Sequence, residues 1–217
     1  MPAIPKAVRR SADTRTKMLE VAEREFARDG YAGAHLQRIA GQVGVQKTAL
    51  YYYFESKAAL YEAVLARMLE AFDETVTEAL ARAGTPEERL RQLLDALNDL
   101  LAERRTYSQL LIRIFVDRVE IPGERLEPLI ERVVGRVLRF HREGVLAGAF
   151  VKLSPRHFFQ TLLGATVFHF ASGEFGAVVL GVDDLFTHSA VAWRRDEVRR
   201  FFLRAVLPEP PEEPEEG

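Results

Sequence analysis

Residues 34–54 read AHLQRIAGQVGVQKTALYYYF, and this stretch constrains the fold more than any other. Leu36, Ile39, Ala40 and Val43 recur at the three- and four-residue spacing of one helix face. Gly44 interrupts that stripe, Val45 anchors a second one and Leu50 continues it. Two helices of about eight residues joined by so short a bend make a helix-turn-helix. The aromatic run that follows cannot all point inward. Helical spacing sends Leu50, Phe54 and Tyr51 to the core and leaves Tyr52 and Tyr53 facing out between Lys47 and Lys57.

The rest of the chain extends the helical reading. Residues 1–12, MPAIPKAVRRSA, show no apolar period and are expected to form a mobile basic arm carrying Lys6, Arg9 and Arg10. Asp13 caps a helix to about residue 28, with Leu19, Ala22 and Phe26 on one face and Gly30 as its stop. From Lys57 an apolar stripe persists to Ala83, one helix of about 27 residues and roughly 40 Å. Gly84 ends it. Thr85, Pro86 and Glu88 supply a cap, a first-turn proline and a capping box for the next helix. Further helices are expected over about 86–104, 107–117, 128–143 (ending at Gly144), 155–172 and 188–206. Residues 173–186 read as a loop, and the proline- and glutamate-rich residues 208–217 as disordered. With no strand alternation and no phosphate-binding glycine loop, the fold class is all-α.

Composition narrows the function. Residues 1–60 hold ten Lys or Arg against six Asp or Glu, a net of +4, whereas residues 61–217 hold twenty against twenty-six, a net of −6. A basic first module on an acidic remainder fits a chain whose one end meets a polyanion. The chain has no cysteine, which excludes disulfides and thiolate chemistry. No apolar run reaches the ~18–20 residues of a membrane span, and the start lacks a signal peptide's apolar region. A cytoplasmic protein without a membrane partner is expected. The histidines lack compact ligand spacing, so no metal and no cofactor are expected. No carboxylate pair or nucleophile–base set stands out, which argues against an enzyme.

The segment GYAGAHLQRIAGQVGVQKTALYYYFESKAALYEAV resembles the N-terminal DNA-binding domain of tetracycline-repressor-type (TetR) transcriptional regulators. Gly30-Tyr31, Ile39-Ala40, Gly44-Val45, Leu50-Tyr51, Tyr53-Phe54, Lys57 and Leu60 carry the likeness, over about residues 13–65. It implies a DNA-binding domain at 13–60 and a helical ligand-binding and dimerisation domain at 61–207, between the arm (1–12) and the tail (208–217). It also implies that Gln46, Lys47 and Thr48 lie nearest the base edges of a major groove. Tyr52, Tyr53 and Lys57 then meet groove or phosphate, and His35 and Gln37 lie near the backbone. The sequence departs from the family pattern at Ala34, Gln46 and Thr48. At Ala34 a capping hydroxyl is usual, so His35 or a backbone group is expected to substitute.

The family likeness further implies a homodimer through helices 155–172 and 188–206, bound to a palindromic operator in double-stranded DNA. Phe158, Phe159, Leu162, Leu163, Val167 and Phe170 on the first helix, with Phe201, Phe202 and Val206 on the second, make these helices apolar enough for that role. Helix membership gives effector-pocket candidates: Phe72, Leu97, Leu101, Leu111, Arg113 and Ile114, then Phe115, Phe140, His141, Phe168 and His169. Cationic groups on apolar helices suit a small lipophilic effector with an anionic group, a description that fits fatty acyl thioesters and aromatic acids alike. The expected protein is a ligand-responsive repressor. The alternatives are a helical enzyme or lipid carrier with an incidental helix-turn-helix, and a structural DNA-binding protein without an effector.

Overall fold

The computed structural model describes residues 6–117 and 123–209. They form helices α1 (Lys6–Gly33), α2 (Leu36–Val43), α3 (Lys47–Tyr53), α4 (Lys57–Ala81) and α5 (Pro86–Glu103). Then come α6 (Arg105–Val116), α7 (Gly123–Leu146), α8 (Pro155–Ala171), α9 (Gly173–Leu180) and α10 (His188–Val206). No strand occurs among the described residues, and the all-α class stands. The chain divides into two compact units, residues 1–71 with 103–131 and residues 72–102 with 132–217. The divisions fall inside α4 and α7 and at the last residue of α5, so residues 57–71 of α4 and all of α6 share the first unit with α1, α2 and α3.

In the first unit, Met18, Val21, Ala22 and Phe26 line one face of α1 and are buried. Ile39, Ala40 and Val43 of α2, Leu50 of α3 and Tyr61 and Leu65 of α4 are buried in the same unit. Phe26 and Tyr61 meet ring to ring at 4.7 Å. The backbone of residues 6–12 continues α1, where sequence predicts an arm; residues 1–5 lie outside the described residues. Gly30 bends this helix with φ 70° and ψ 178°, a conformation open in practice only to glycine, and so acts as a kink ahead of residues 31–33.

In the second unit, the capping box forms as the sequence requires. Thr85 N–H donates to Glu88 Oε2 at 2.7 Å, and Glu88 N–H to Thr85 Oγ1 at 3.2 Å. Helix α7 begins at Gly123, so Pro128 lies inside it and not in its first turn. It also runs past Gly144 to Leu146. That glycine does not end the helix; it makes room for Phe150, whose ring a Cβ there would meet at 2.0 Å. Residues 173–180, expected as loop, are α9, and the two helices α8 and α9 are bent by 96°. Thr187 caps α10 by accepting from Ala190 N–H at 3.2 Å.

Phe158, Leu162, Val167, Phe170, Phe202 and Val206, expected at a dimer interface, are buried within the single chain. Phe201 of that set is exposed, and Phe168, Phe175, Val178, Val179 and Trp193 are exposed apolar residues on α8, α9 and α10. Burial went to the i, i+4 stripe facing the chain's own core, and the outward residues are different ones. Of the residues 208–217 expected to be disordered, 210–217 lie outside the described residues. Among the described residues no single helix is long and apolar enough to cross a membrane.

Candidate nucleic-acid interface

The turn between α2 and α3 is built by Gly44 at φ 85° and ψ 33°, the left-handed position. Its N–H and that of Val45 both donate to Ala40 O at 3.0 Å, closing the end of α2. Lys17 of α1 donates to Val43 O at 3.0 Å and takes another free carbonyl of the same helix end. Leu50 and Phe54, four residues apart, are buried and fix α3 to the unit. Arg15 stacks over the Phe54 ring at 5.1 Å.

A polar network fixes α2 against α1. Glu25 is almost fully buried, yet its carboxylate accepts from Arg28 at 2.7 Å and from Gln42 at 2.9 Å. Arg38 Nε lies 2.5 Å from the other oxygen, close enough for an ion pair but out of line for a hydrogen bond. Asp29 receives Arg28 at 2.9 Å and Arg38 at 2.5 Å, and these guanidinium contacts hold its carboxyl below the usual range. Two carboxylates on α1 thus grip one arginine on α2.

The sequence-predicted contact residues fall into two groups. His35, Gln37, Gln46, Lys47, Thr48 and Tyr52 are all exposed. His35 occupies the N-cap of α2 and Gln46 that of α3, and neither side chain makes a capping bond, so the cap missing at Ala34 is not replaced by a side chain. Tyr52 is 84% exposed and Tyr51 47%, so Tyr51 is not the core residue its place in the run suggested. Lys47 Nζ lies 5.9 Å from the Tyr51 ring centre. Tyr53 is half-buried, edge-on to Tyr52 at 5.3 Å.

Lys57 is engaged differently. Its ammonium donates to Ala32 O at 3.2 Å and sits 4.9 Å from the Tyr31 ring centre, and partial burial lowers its pKa. Ser56 caps α4 through Oγ, which accepts from Ala59 N–H at 3.0 Å. Serine one residue before a helix start is an ordinary N-cap signal, and it marks this boundary in the sequence.

The effector-pocket candidates divide between the units. Leu111, Arg113, Ile114 and Phe115 belong to the first, and Phe72, Leu97, Leu101, Phe140, His141, Phe168 and His169 to the second. Arg113 donates to Arg28 O at 2.8 Å and pairs with Asp117 at 3.6 Å, which ties α6 to the end of α1. Phe115 and Phe168 are exposed; Leu97, Leu101 and Phe140 are core. His141 is fully buried, stacked on Phe158 at 4.5 Å and near Phe150 at 6.0 Å, with both ring nitrogens unpartnered. Burial pushes its pKa down. His169 lines a cleft bounded by α8, α9 and α10.

Residues 18–64 match the family model for bacterial regulatory proteins of the tetR family. The helix-turn-helix segment is of the TetR type. The matched residues are those of α1 to α4 that build the helix-turn-helix and its supports. The transcriptional regulator TtgR of Pseudomonas putida is 35% identical over 101 residues, 43% of this chain and 46% of its own length. The chain thus aligns with about half the length of such relatives. The regulator RutR of Escherichia coli is 27% identical over 203 residues, 88% of this chain and 89% of its own. Among solved structures, AibR in complex with isovaleryl coenzyme A and operator DNA superimposes with a TM-score of 0.68 at 21% identity, covering 87% of this chain and 97% of that one. At that identity the likeness is one of fold.

Proposed function

We propose that this chain is a TetR-family, ligand-responsive DNA-binding transcriptional regulator, acting as a homodimeric repressor on a palindromic operator. One observation carries the reading. Gln46, Lys47, Thr48 and Tyr52 stand exposed at the second helix of a helix-turn-helix whose Leu50 and Phe54 are committed to the core. Such a helix presents its N-terminal side chains to base edges in a major groove. His35, Gln37, Tyr53 and Lys57 then serve the phosphate backbone. Lys57 can keep its bond to Ala32 O and still point another N–H at a phosphate. The regulatory reading places the protein in the cytoplasm and assigns it no enzymatic activity.

The exposed Phe168, Phe175, Val178, Val179, Trp193 and Phe201 support association with a second copy, because monomers rarely leave this much apolar surface uncovered. The effector is a small lipophilic molecule with an anionic group. An acyl thioester fits, since AibR, which shares the fold, was solved with isovaleryl coenzyme A. Helix α4 carries Lys57 at one end and residues of the second unit at the other. A ligand that favours one arrangement of α4 shifts operator affinity by its differential affinity, typically ~1–3 kcal/mol.

The test is fluorescence anisotropy with a duplex from the chain's own promoter region, read across a salt series. Tight binding that weakens steeply with salt is expected. Lys57→Ala lowers affinity for specific and unrelated duplexes alike and reduces the salt slope by about one. Thr48→Ala instead changes preference among duplexes. Salt-independent binding would refute the phosphate contacts, and no binding to any duplex would refute the reading.

A further inference from the structure

The two contacts that hold Lys57 fall on neighbouring residues. Its ammonium donates to Ala32 O at 3.2 Å and lies 4.9 Å from the Tyr31 ring centre. Tyr31 and Ala32 belong to the short stretch between the Gly30 kink and the start of α2 at Leu36. A lysine is a point charge on a flexible stem, so its direction has to come from its neighbours. Where residues 31 and 32 sit therefore sets where Lys57 points.

That stretch is held from α6, far away in sequence. Tyr31 N–H donates to Asp117 Oδ2 at 3.1 Å, across 86 positions. Arg113, one turn before Asp117, donates to Arg28 O at 2.8 Å and lies 3.6 Å from Asp117 Oδ1. The end of α6 thus grips the backbone on both sides of Gly30, by a carbonyl before it and an amide after it. Glycine at position 30 is what admits the carboxylate, since a Cβ there would lie 2.5 Å from Asp117 Oδ2. The Asp117 side chain is only 17% exposed, and a shielded bond to a carboxylate holds a backbone amide more firmly than one in open water. The Tyr31 ring packs in turn on the buried Tyr61 of α4 at 5.2 Å. All of these residues lie within the first unit.

We infer that Asp117 is a positioning residue for DNA binding: through Tyr31 N–H it fixes residues 31 and 32, and these aim Lys57 at a phosphate. The inference rests on the phosphate role proposed for Lys57. An ammonium has three donors, so Lys57 can stay anchored to Ala32 O while another N–H meets the phosphate. Asp117 acts only through this relay, because a carboxylate repels a phosphate. That gives the inference a sign of its own. On charge alone, removing an acid from a module that meets a polyanion strengthens binding. Acting through Tyr31 and Lys57, loss of the Asp117 carboxylate weakens it.

The test is a double-mutant cycle on the full-length protein, read by fluorescence anisotropy with the promoter-region duplex across a salt series. Asp117→Ala binds about threefold to tenfold more weakly than wild type, and its salt slope falls toward that of Lys57→Ala. In the Lys57→Ala background the same substitution brings no further loss. Asp117→Asn keeps an acceptor for Tyr31 N–H without the charge, and binds at least as tightly as wild type. Circular dichroism checks helical content. If Asp117→Ala does not fold, Tyr31→Leu runs the same cycle, because it removes the ring beneath the ammonium; its loss too is confined to the background that retains Lys57. Equal losses in both backgrounds overturn the inference, as does unchanged or tighter binding in Asp117→Ala. An Asp117→Asn variant as weak as Asp117→Ala also overturns it. In each of those outcomes Lys57→Ala still weakens binding, and the regulatory reading stands. Unchanged affinity in Lys57→Ala itself refutes the phosphate role of Lys57 and the inference together.

Discussion

Gly30→Ala tests the joint that ends α1. At φ 70° and ψ 178° an alanine is strained by about 1–3 kcal/mol. Its Cβ also falls 2.5 Å from Asp117 Oδ2, the oxygen that accepts Tyr31 N–H at 3.1 Å. To relieve that clash Asp117 must swing away and forfeit a hydrogen bond to a charged acceptor, worth about 1.5–3 kcal/mol. Reduced freedom in the unfolded chain returns about 0.4–1 kcal/mol. The net expectation is a loss of about 2–5 kcal/mol. Urea unfolding followed by circular dichroism measures it, and hydrogen exchange of the α1 and α6 amides shows that the loss lies in the first unit. The same substitution in an Asp117→Ala background meets no carboxylate and should cost only the backbone strain, roughly 1–2 kcal/mol after the entropy return. A cost equal in both backgrounds would refute the clash-and-clamp argument. A cost below about 1 kcal/mol would refute the backbone argument as well.

Other perturbations test the remaining joints. Glu25→Ala strips Arg28, Arg38 and Gln42 of a buried acceptor while Asp29 still pairs with Arg38, and should destabilise the chain by about 1–3 kcal/mol in urea unfolding, whereas Glu20→Ala on the exposed side should be near neutral. His141→Phe replaces a ring whose two nitrogens have no partner inside an aromatic stack and should stabilise by about 1–2 kcal/mol; a loss would mean that the imidazole has an unseen partner. The pH dependence follows from the depressed pKa values of His141 and His169. Above about 6.5 these rings are neutral in both folded and unfolded chains. As pH falls the unfolded chain takes up protons that the folded one refuses, so stability drops by up to ~1.4 kcal/mol per unit for each ring. For His169 the loss continues until about pH 4, and in His169→Phe the acid side of the stability profile should be shallower. Leu50→Ala should cost about 2–5 kcal/mol of stability, whereas Tyr52→Ala should leave stability unchanged and weaken DNA binding.

What the sequence made legible were elements with a local cause. Gly44 announced its turn because a left-handed residue is needed there, and Thr85-x-x-Glu88 announced a helix start because both of its bonds form within four residues. The clamp of Arg113 and Asp117 on the end of α1 pairs residues more than eighty positions apart, and no local pattern encodes it. The Glu25–Arg38 contact is similarly hidden, since a carboxylate on a helix reads as solvated until its burial is known. Helix α9 was missed for a different reason. GEFGAVVL has two glycines and no polar face, so it lacks the periodicity that marks a helix, and its Phe175, Val178 and Val179 stand exposed.

The aromatic run shows how far helix geometry alone reaches. In a seven-residue helix only one stripe can be buried; Leu50 occupies it, and Phe54, the extended residue that follows the helix, is buried just beyond its end. Tyr51 is a further 100° around from Leu50 and falls outside the stripe. Its i−4 neighbour is Lys47, and the two meet on the surface as a cation over a ring. On the proposed DNA-reading role of α3, that contact would orient Lys47, the lysine expected to reach a base edge. Tyr52 and Tyr53, paired edge to face, form a second such surface element. The run therefore needs only two residues in the core, and the burial of Leu50 and Phe54 leaves Tyr51 and Tyr52 on the surface and Tyr53 half-buried.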